Sequence, residues 1–296
     1  MKFTLTLSLL LLLNGVTVKA QEYFDGKFRI KNYTYYGYHY TLYDFSRDGY
    51  VMKAKYFAQN AYSQYLQWRT GKQILLVTAG AFSDTFESNG KPEGICVDNG
   101  ITVNRVMRYD WDGMVIVYNG STQQGGIAIV DLSQKPVTVR TTYPSGPLVS
   151  YYVKANNTDK LNFLNWGADQ GVTLFQTMLV YSSDKSINTN LNNPYYGNKR
   201  ERRFLAICTK NGSIHHVVVD APDDLELNLS TSYSKIVLES DGFTVLYILN
   251  LDTGDKNVLQ RYNGSYLQDM YPYKRDRPDR ATIQNATNLL VYYKDN

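Results

Sequence analysis

The sequence predicts an α+β protein with a large mixed β-sheet as its core and a few packed helices. Three observations predict it. Short runs of tyrosine and β-branched residues recur along the 296 residues, bounded by Gly, Asn and Asp turns. Only one long stretch has clear helical spacing. The element order, strand, helix, strand, many strands, helix, strand, lacks the regular alternation of a doubly wound fold. No repeat, linker or low-complexity block divides the chain. Residues 21–296 therefore read as one domain, in which residues 21–70 supply strands and a helix packed on the core.

The first twenty residues read as a signal peptide. Lys2 gives a positive start, Phe3 to Leu13 an apolar run, and Val18-Lys19-Ala20 the small residues that place cleavage before Gln21. A membrane anchor is the competing reading, but a helix needs about 20 apolar residues to span a bilayer. No second apolar run follows. The expected location is secreted or periplasmic, with no transmembrane segment.

Gln21 to Tyr50 reads as strands joined by turns, with Arg47-Asp48-Gly49 as one turn. Met52 to Arg69 is the helix candidate: it lacks Gly and Pro, and Ala54, Phe57, Ala58, Ala61, Tyr65 and Trp68 recur at helical spacing. Gly71 ends it. Gln73 to Thr78 is a strand whose Ile-Leu-Leu-Val run suggests burial on both faces. Ala79-Gly80-Ala81-Phe82 is a small-residue turn. Gly94 to Asp98, Met114 to Tyr118 and Ile127 to Leu132 read as strands, with turns at Asp98-Asn99-Gly100 and Asp112-Gly113. Leu148 to Asp169 mixes strand and loop, and Val172 to Tyr181 reads as a strand or a short buried helix. Ser182 to Arg203 is a long polar loop or a pair of ragged strands. Arg203 to Thr209 and Ser213 to Asp220 form the clearest hairpin, turning at Asn211-Gly212. Asp223 to Val237 holds a short helix, and Thr244 to Asn250 and Thr287 to Tyr293 are strands.

Composition excludes some functions. The formal net charge of +4 is small, and the basic residues are scattered apart from Lys199 to Arg203 and Lys274 to Arg277. No basic stripe suited to nucleic acid is present. No G-x-S-x-G, H-E-x-x-H or phosphate-binding loop occurs. The 27 tyrosines stand out. They either cap strand faces or expose rings for sugars or partners. Cys96 and Cys208 lie in apolar runs and either form one disulfide or remain buried thiols. His215 and His216 alternate along a strand, so only one is expected to face inward. With His39 they show no zinc-ligand spacing.

Three ordered segments resemble the phosphodiester glycosidase family. The first is Val77-Thr78-Ala79-Gly80-Ala81-Phe82 followed by Pro92-Glu93-Gly94-Ile95-Cys96-Val97-Asp98-Asn99-Gly100. The second is Arg202-Arg203-Phe204-Leu205-Ala206-Ile207-Cys208 with Asn211-Gly212-Ser213-Ile214. The third is Asn250-Leu251-Asp252-Thr253-Gly254. The resemblance covers residues 70–293. Ala79 stands where the family usually has asparagine, Thr253 replaces a glycine, and Cys208 lies near a usual glycine.

The resemblance implies hydrolysis of a sugar-1-phosphate diester in a glycan or glycolipid, without a cofactor. The transition state resembles an oxocarbenium ion, so the site needs a carboxylate near the anomeric carbon and cationic or N–H donors on the departing phosphate. The implied catalytic residues are Asp252 as the carboxylate, Arg203 on the phosphate and Asn250 on a sugar hydroxyl or on Asp252. The implied substrate contacts are Arg202, Gly80, Ala81, Glu93 and Gly254. For Asp252 a plain Asp-Thr-Gly turn is the alternative, for the arginines a solvated charge run, and for Ala79-Gly80-Ala81 a close strand crossing. Glu93 and Asp84 pair as acid and base, bind calcium through oxygens, or are simply solvated. The departures from the family pattern, with the tyrosine excess, motivate a second function: a non-catalytic glycan- or cell-envelope-binding protein on the same fold. A surface-interaction module without a small-molecule site is a third.

Overall fold

The computed structural model describes residues 16–84, 90–119, 125–141, 146–187, 197–253, 257–270 and 282–296. In chain order the strands are β1 (Val16–Asp25), β2 (Phe28–Tyr35), β3 (Tyr38–Ser46), β4 (Lys53–Phe57), β5 (Lys72–Thr78), β6 (Cys96–Asp98) and β7 (Ile101–Asn104). Next come β8 (Gly113–Val117), β9 (Ile127–Asp131), β10 (Val137–Arg140), β11 (Leu148–Tyr151), β12 (Thr173–Ser182) and β13 (Ser186–Ile187). The last are β14 (Arg200–Lys210), β15 (Ser213–Leu225), β16 (Thr244–Leu251), β17 (Leu259–Tyr262), β18 (Leu267–Asp269) and β19 (Leu289–Asp295). Among the described residues three α-helices span Ala61–Trp68, Asn157–Asp169 and Leu227–Ser240. The protein is β-rich and its strands pair mostly antiparallel, consistent with the β-rich fold with a few helices that the sequence predicts. Two-residue turns join β1 to β2, β2 to β3, β6 to β7 and β14 to β15, and such turns impose the antiparallel sense.

The chain forms two compact units, Met1–Asp48 with Val180–Asn250 and Gly49–Leu179 with Leu251–Asn296. In the first, the strand order runs β1-β2-β3-β15-β14-β16. Its turns follow from residue type. Asn211 (φ 52°) and Gly212 (φ 79°) close β14 onto β15, the left-handed pair that a two-residue hairpin requires. β14 and β15 are buried along most of their length, Arg203 to Cys208 and Val217 to Val219 included. The helix Leu227–Ser240 belongs to this unit and packs on β15. The apolar start of the expected signal peptide, residues 2–13, lies outside the described residues. β1 crosses the expected cleavage point, with its register on β2 shifted between Val18 and Gln21.

In the second unit β4, β19, β5, β17 and β18 form one sheet. The helix Ala61–Trp68 buries Ala61 and Tyr65 with Phe57, Val77, Leu289 and Val291. A second core gathers Ile95, Val97, Ile116, Phe163, Trp166 and Leu174 around the helix Asn157–Asp169. Both cores are aliphatic and aromatic, the composition that yields about 1.5–3 kcal/mol per fully buried side chain.

Two elements differ from expectation. Met52 to Arg69 is not one helix: Lys53–Phe57 is a strand and only Ala61–Trp68 is helical. Ala54, Tyr56 and Ala58 also satisfy a period of two, and Asn60 in the left-handed region (φ 44°) separates the two elements. The helix Asn157–Asp169 lies where strand and loop are expected. Its signal is at the N-terminus, where Asn156 Oδ1 accepts the Asp159 amide at 2.6 Å and the Asp159 carboxylate accepts the Tyr152 amide at 2.7 Å. Val172 to Tyr181 resolves as the strand β12. Cys96 and Cys208 are buried free thiols, not a disulfide, and burial pushes both thiols up.

Candidate functional site

In the second unit β5 delivers the chain into Ala79-Gly80-Ala81-Phe82. The Gly80 amide donates to Asn288 Oδ1 at 3.0 Å, and Asn288 Nδ2 donates to the Ala81 carbonyl at 2.9 Å. The Ala79 amide donates to the Val258 carbonyl at 3.1 Å. The amides of Ala79 and Gly80 are thus engaged by the protein itself. A Cβ on Gly80 would sit 2.6 Å from the Tyr56 ring. The close approach that this glycine permits is made by Tyr56, whose ring stacks on Phe175 at 4.2 Å.

Asp252 joins this turn. Its amide donates to the Gly80 carbonyl at 2.9 Å, and the residue is only 6% exposed. It follows β16 directly, so a buried strand fixes its backbone on one side and the Gly80 turn on the other. Fully buried Tyr56 lies within electrostatic range of Cys96, Asp98 and Asp252, and burial first, then these neighbours, hold its phenol protonated.

Phe82 extends the turn toward groups that sequence reasoning missed. The Glu93 amide donates to the Phe82 carbonyl at 2.6 Å, and the Phe82 ring lies 5.2 Å from Trp111. The Arg108 guanidinium sits 4.7 Å over the Trp111 ring, pairs with Glu93, and donates to both Asp110 oxygens at 3.1 and 3.0 Å. Gln176 fixes this corner. Its Oε1 accepts the amides of Ile95 and Arg108, and its Nε2 donates to the carbonyls of Arg108 and Trp111. Gly94 (φ 85°) lets the backbone pass Gln176, since a Cβ there would lie 2.7 Å from Oε1. Arg108 and Glu93 are part-exposed. The signal for Arg108 was Arg-x-Asp-Trp at residues 108–111, a cation beside an acid and an aromatic. Asp84 accepts the Lys91 amide at 2.8 Å.

A second polar group in this unit centres on Asp98. It accepts the Ala58 amide at 2.8 Å, and burial pushes its carboxyl up. Lys55 donates to Asn119 Oδ1 at 3.1 Å, and burial pulls its ammonium down against the attraction of Asp98.

The other residues drawn in by the family resemblance belong to the first unit, except Gly254, which lies outside the described residues. Arg203 is fully buried. It donates to Asp220, its cross-strand partner, at 3.0 and 3.2 Å, and reaches Glu201 at 3.4 Å. It is not part of a solvated charge run. Arg202 is 6% exposed and donates to the Asn198 carbonyl at 3.1 Å. Burial, helped by Arg200, pulls its guanidinium to about 10, so it stays cationic at neutral pH. Strand alternation points the two arginines to opposite faces of β14, and both are buried because β14 is covered on both faces. The same holds for His215 and His216, which are both buried. His215 pairs with Asp44 at 2.6 Å. Asn250 is buried at the end of β16.

No protein-family model matches the chain, and no curated protein is similar enough to count as a relative. Solved structures share its fold. A hypothetical protein from Synechocystis overlays with a TM-score of 0.53 at 12% identity, covering 94% of this chain. This chain spans 64% of that protein's length. The catalytic domain of zebrafish N-acetylglucosamine-1-phosphodiester alpha-N-acetylglucosaminidase, auto-inhibited by its pro-peptide, overlays with a TM-score of 0.51 at 12% identity. That overlay covers 95% of this chain and 84% of the zebrafish domain. The likeness is one of fold. Among the described residues no helix is long and apolar enough to cross a membrane.

Proposed function

We propose that the chain is an exported hydrolase that cleaves a sugar-1-phosphate diester in a glycan or glycolipid, a phosphodiester glycosidase. The observation that carries this reading is the buried carboxylate of Asp252, tied to the Gly80 turn in a fold shared with the zebrafish catalytic domain. Asp252 supplies negative charge beside the anomeric carbon as the oxocarbenium ion develops. Arg108 is the cation for the departing phosphate in this unit, since a guanidinium grips phosphate through two N–H groups. Phosphate would exchange with the part-exposed Asp110 there. Trp111 and Phe82 brace this corner. Glu93 holds Arg108 in place and remains a substrate contact of the proposal, with Gly80, Ala81 and Gly254 as backbone contacts.

Asn250, Arg202 and Arg203 enter through the family resemblance. Arg203 already has two carboxylates, so its removal is expected to harm folding before turnover. The test is hydrolysis of chromogenic sugar phosphodiesters by the wild type, Asp252→Asn and Arg108→Ala. Wild type turns over at least one sugar, Asp252→Asn loses turnover, and Arg108→Ala loses roughly 10²–10³-fold in kcat/KM. A wild type inert on every sugar, or an Asp252→Asn protein of undiminished rate, rejects the reading. The first result with retained glycan binding would favour the non-catalytic alternative.

A further inference from the structure

The first unit carries a cluster of tyrosines at the tip of the β2–β3 hairpin and on the helix Leu227–Ser240. Tyr35 lies 4.6 Å from Tyr36 and 4.9 Å from Tyr233. Tyr233 lies 5.7 Å from Tyr36 and 6.2 Å from Tyr38. Tyr36 is 67% exposed, Tyr38 and Tyr233 are half-buried, and Tyr40 lies beneath them at 1% exposure.

Two features of this cluster are costly for a purely structural surface. The hairpin turns at Tyr36 (φ 48°) and Gly37 (φ 81°). Both positions of such a turn need the left-handed region, which Asn, Asp and Gly enter readily and a bulky ring does not. Backbone strain kept at an exposed position is a mark of function. The Tyr40 hydroxyl is also buried without a hydrogen-bond partner among the described residues, and buried polar groups are ordinarily paired. Burial first, then Tyr233, Tyr38 and Tyr35, oppose its ionisation, and burial, Tyr36 and Tyr233 do the same for Tyr35.

We infer that this cluster is a binding platform for a neutral glycan chain. Sugar rings present C–H faces that lie on aromatic rings and hydroxyls that both donate and accept. The platform offers the same combination, ring faces with hydroxyls as its polar groups. A proline-rich peptide, the other common ligand of aromatic surfaces, presents carbonyls between its rings and calls only for donors. The platform acts by holding a polymer, independently of catalysis, so binding is read without turnover and its failure is distinct from failure of the hydrolase reading.

The test is native affinity electrophoresis of the full chain through gels containing glucan, galactomannan or xylan, with thermal melting alongside. Wild type is retarded by at least one polysaccharide. Tyr36→Asn, which suits the turn, melts at the same or a higher temperature yet loses at least tenfold in retardation, and Tyr233→Ala also weakens it. Because Tyr36→Asn preserves the fold, lost binding cannot be ascribed to unfolding. Wild type retarded by none of the polysaccharides, or Tyr36→Asn retarded like wild type, overturns the inference. Binding of a polyproline peptide in place of every polysaccharide, or dimers dissolved by Tyr36→Asn without any polysaccharide binding, overturns it as well.

Discussion

His216 shows how burial on both faces of β15 shapes a single residue. It is 2% exposed, and burial first, then Arg47 and His215, hold its imidazole well below the ordinary 6.5. The folded chain therefore keeps it neutral where the unfolded chain takes up a proton. Its contribution to stability is complete above about pH 6.5 and is lost as pH falls toward the folded value. Each unit between the folded and unfolded values is worth about 1.4 kcal/mol. Urea titrations between pH 7 and pH 5 are expected to show stability falling with acid in the wild type and a flatter profile in His216→Gln; identical slopes would contradict this. At the same scale, the sequence made Asn211 and Gly212 legible because turn chemistry is local. Arg108 carried only the weak local signal Arg-x-Asp-Trp, since its pairing with Glu93 forms only where Gln176 holds the Ile95 and Arg108 backbones together.

At the scale of elements, the helix Leu227–Ser240 ends in a charged knot that local pattern did not reveal. Asp241 follows its last turn and takes hydrogen bonds from Lys31 and, at 2.6 Å, from the Tyr33 hydroxyl. Lys210 lies 3.4 Å and Arg29 3.7 Å from the same carboxylate, and Lys210 also reaches the Asp241 carbonyl. Cations at this end complement the helix dipole. Burial works against the charge on Asp241, yet the hydrogen bonds from Lys31 and Tyr33 and the nearby cations hold its carboxyl below the ordinary range. Asp241→Ala leaves part-buried Lys31 and Lys210 without their anion, while Arg29 keeps Asp44, and is expected to cost about 3 kcal/mol or more. Urea denaturation measures that loss, and amide exchange is expected to quicken in the last turn of the helix; a loss under about 1 kcal/mol would make the knot a surface decoration. The helix Asn157–Asp169 was obscured for another reason: its interior carries Asn, Asp and Gly, so only its capping residues announced it. Lys53–Phe57 was obscured because its apolar positions fit either period.

At the scale of the whole molecule, a β-rich core with few helices was readable from strand runs and turn residues, because period and turn chemistry act over a few residues. Assembly of the candidate site was readable only in part. Asp252 and the Gly80 turn are 172 positions apart in the chain (252 − 80) and are joined by a backbone hydrogen bond. Motif order suggested that meeting. Asn288, which clamps the turn, carried no signal because it acts through a single amide side chain far along the sequence. The central claim is that Asp252 serves cleavage at a sugar carbon, not at phosphorus. Hydrolysis of a glycosyl phosphodiester in ¹⁸O-labelled water, with prompt mass analysis of both products, tests it most directly. Heavy oxygen on the released sugar at C1, with an unlabelled phosphomonoester, is the expected result; heavy oxygen on the phosphate would mean that the P–O bond breaks and would contradict the account.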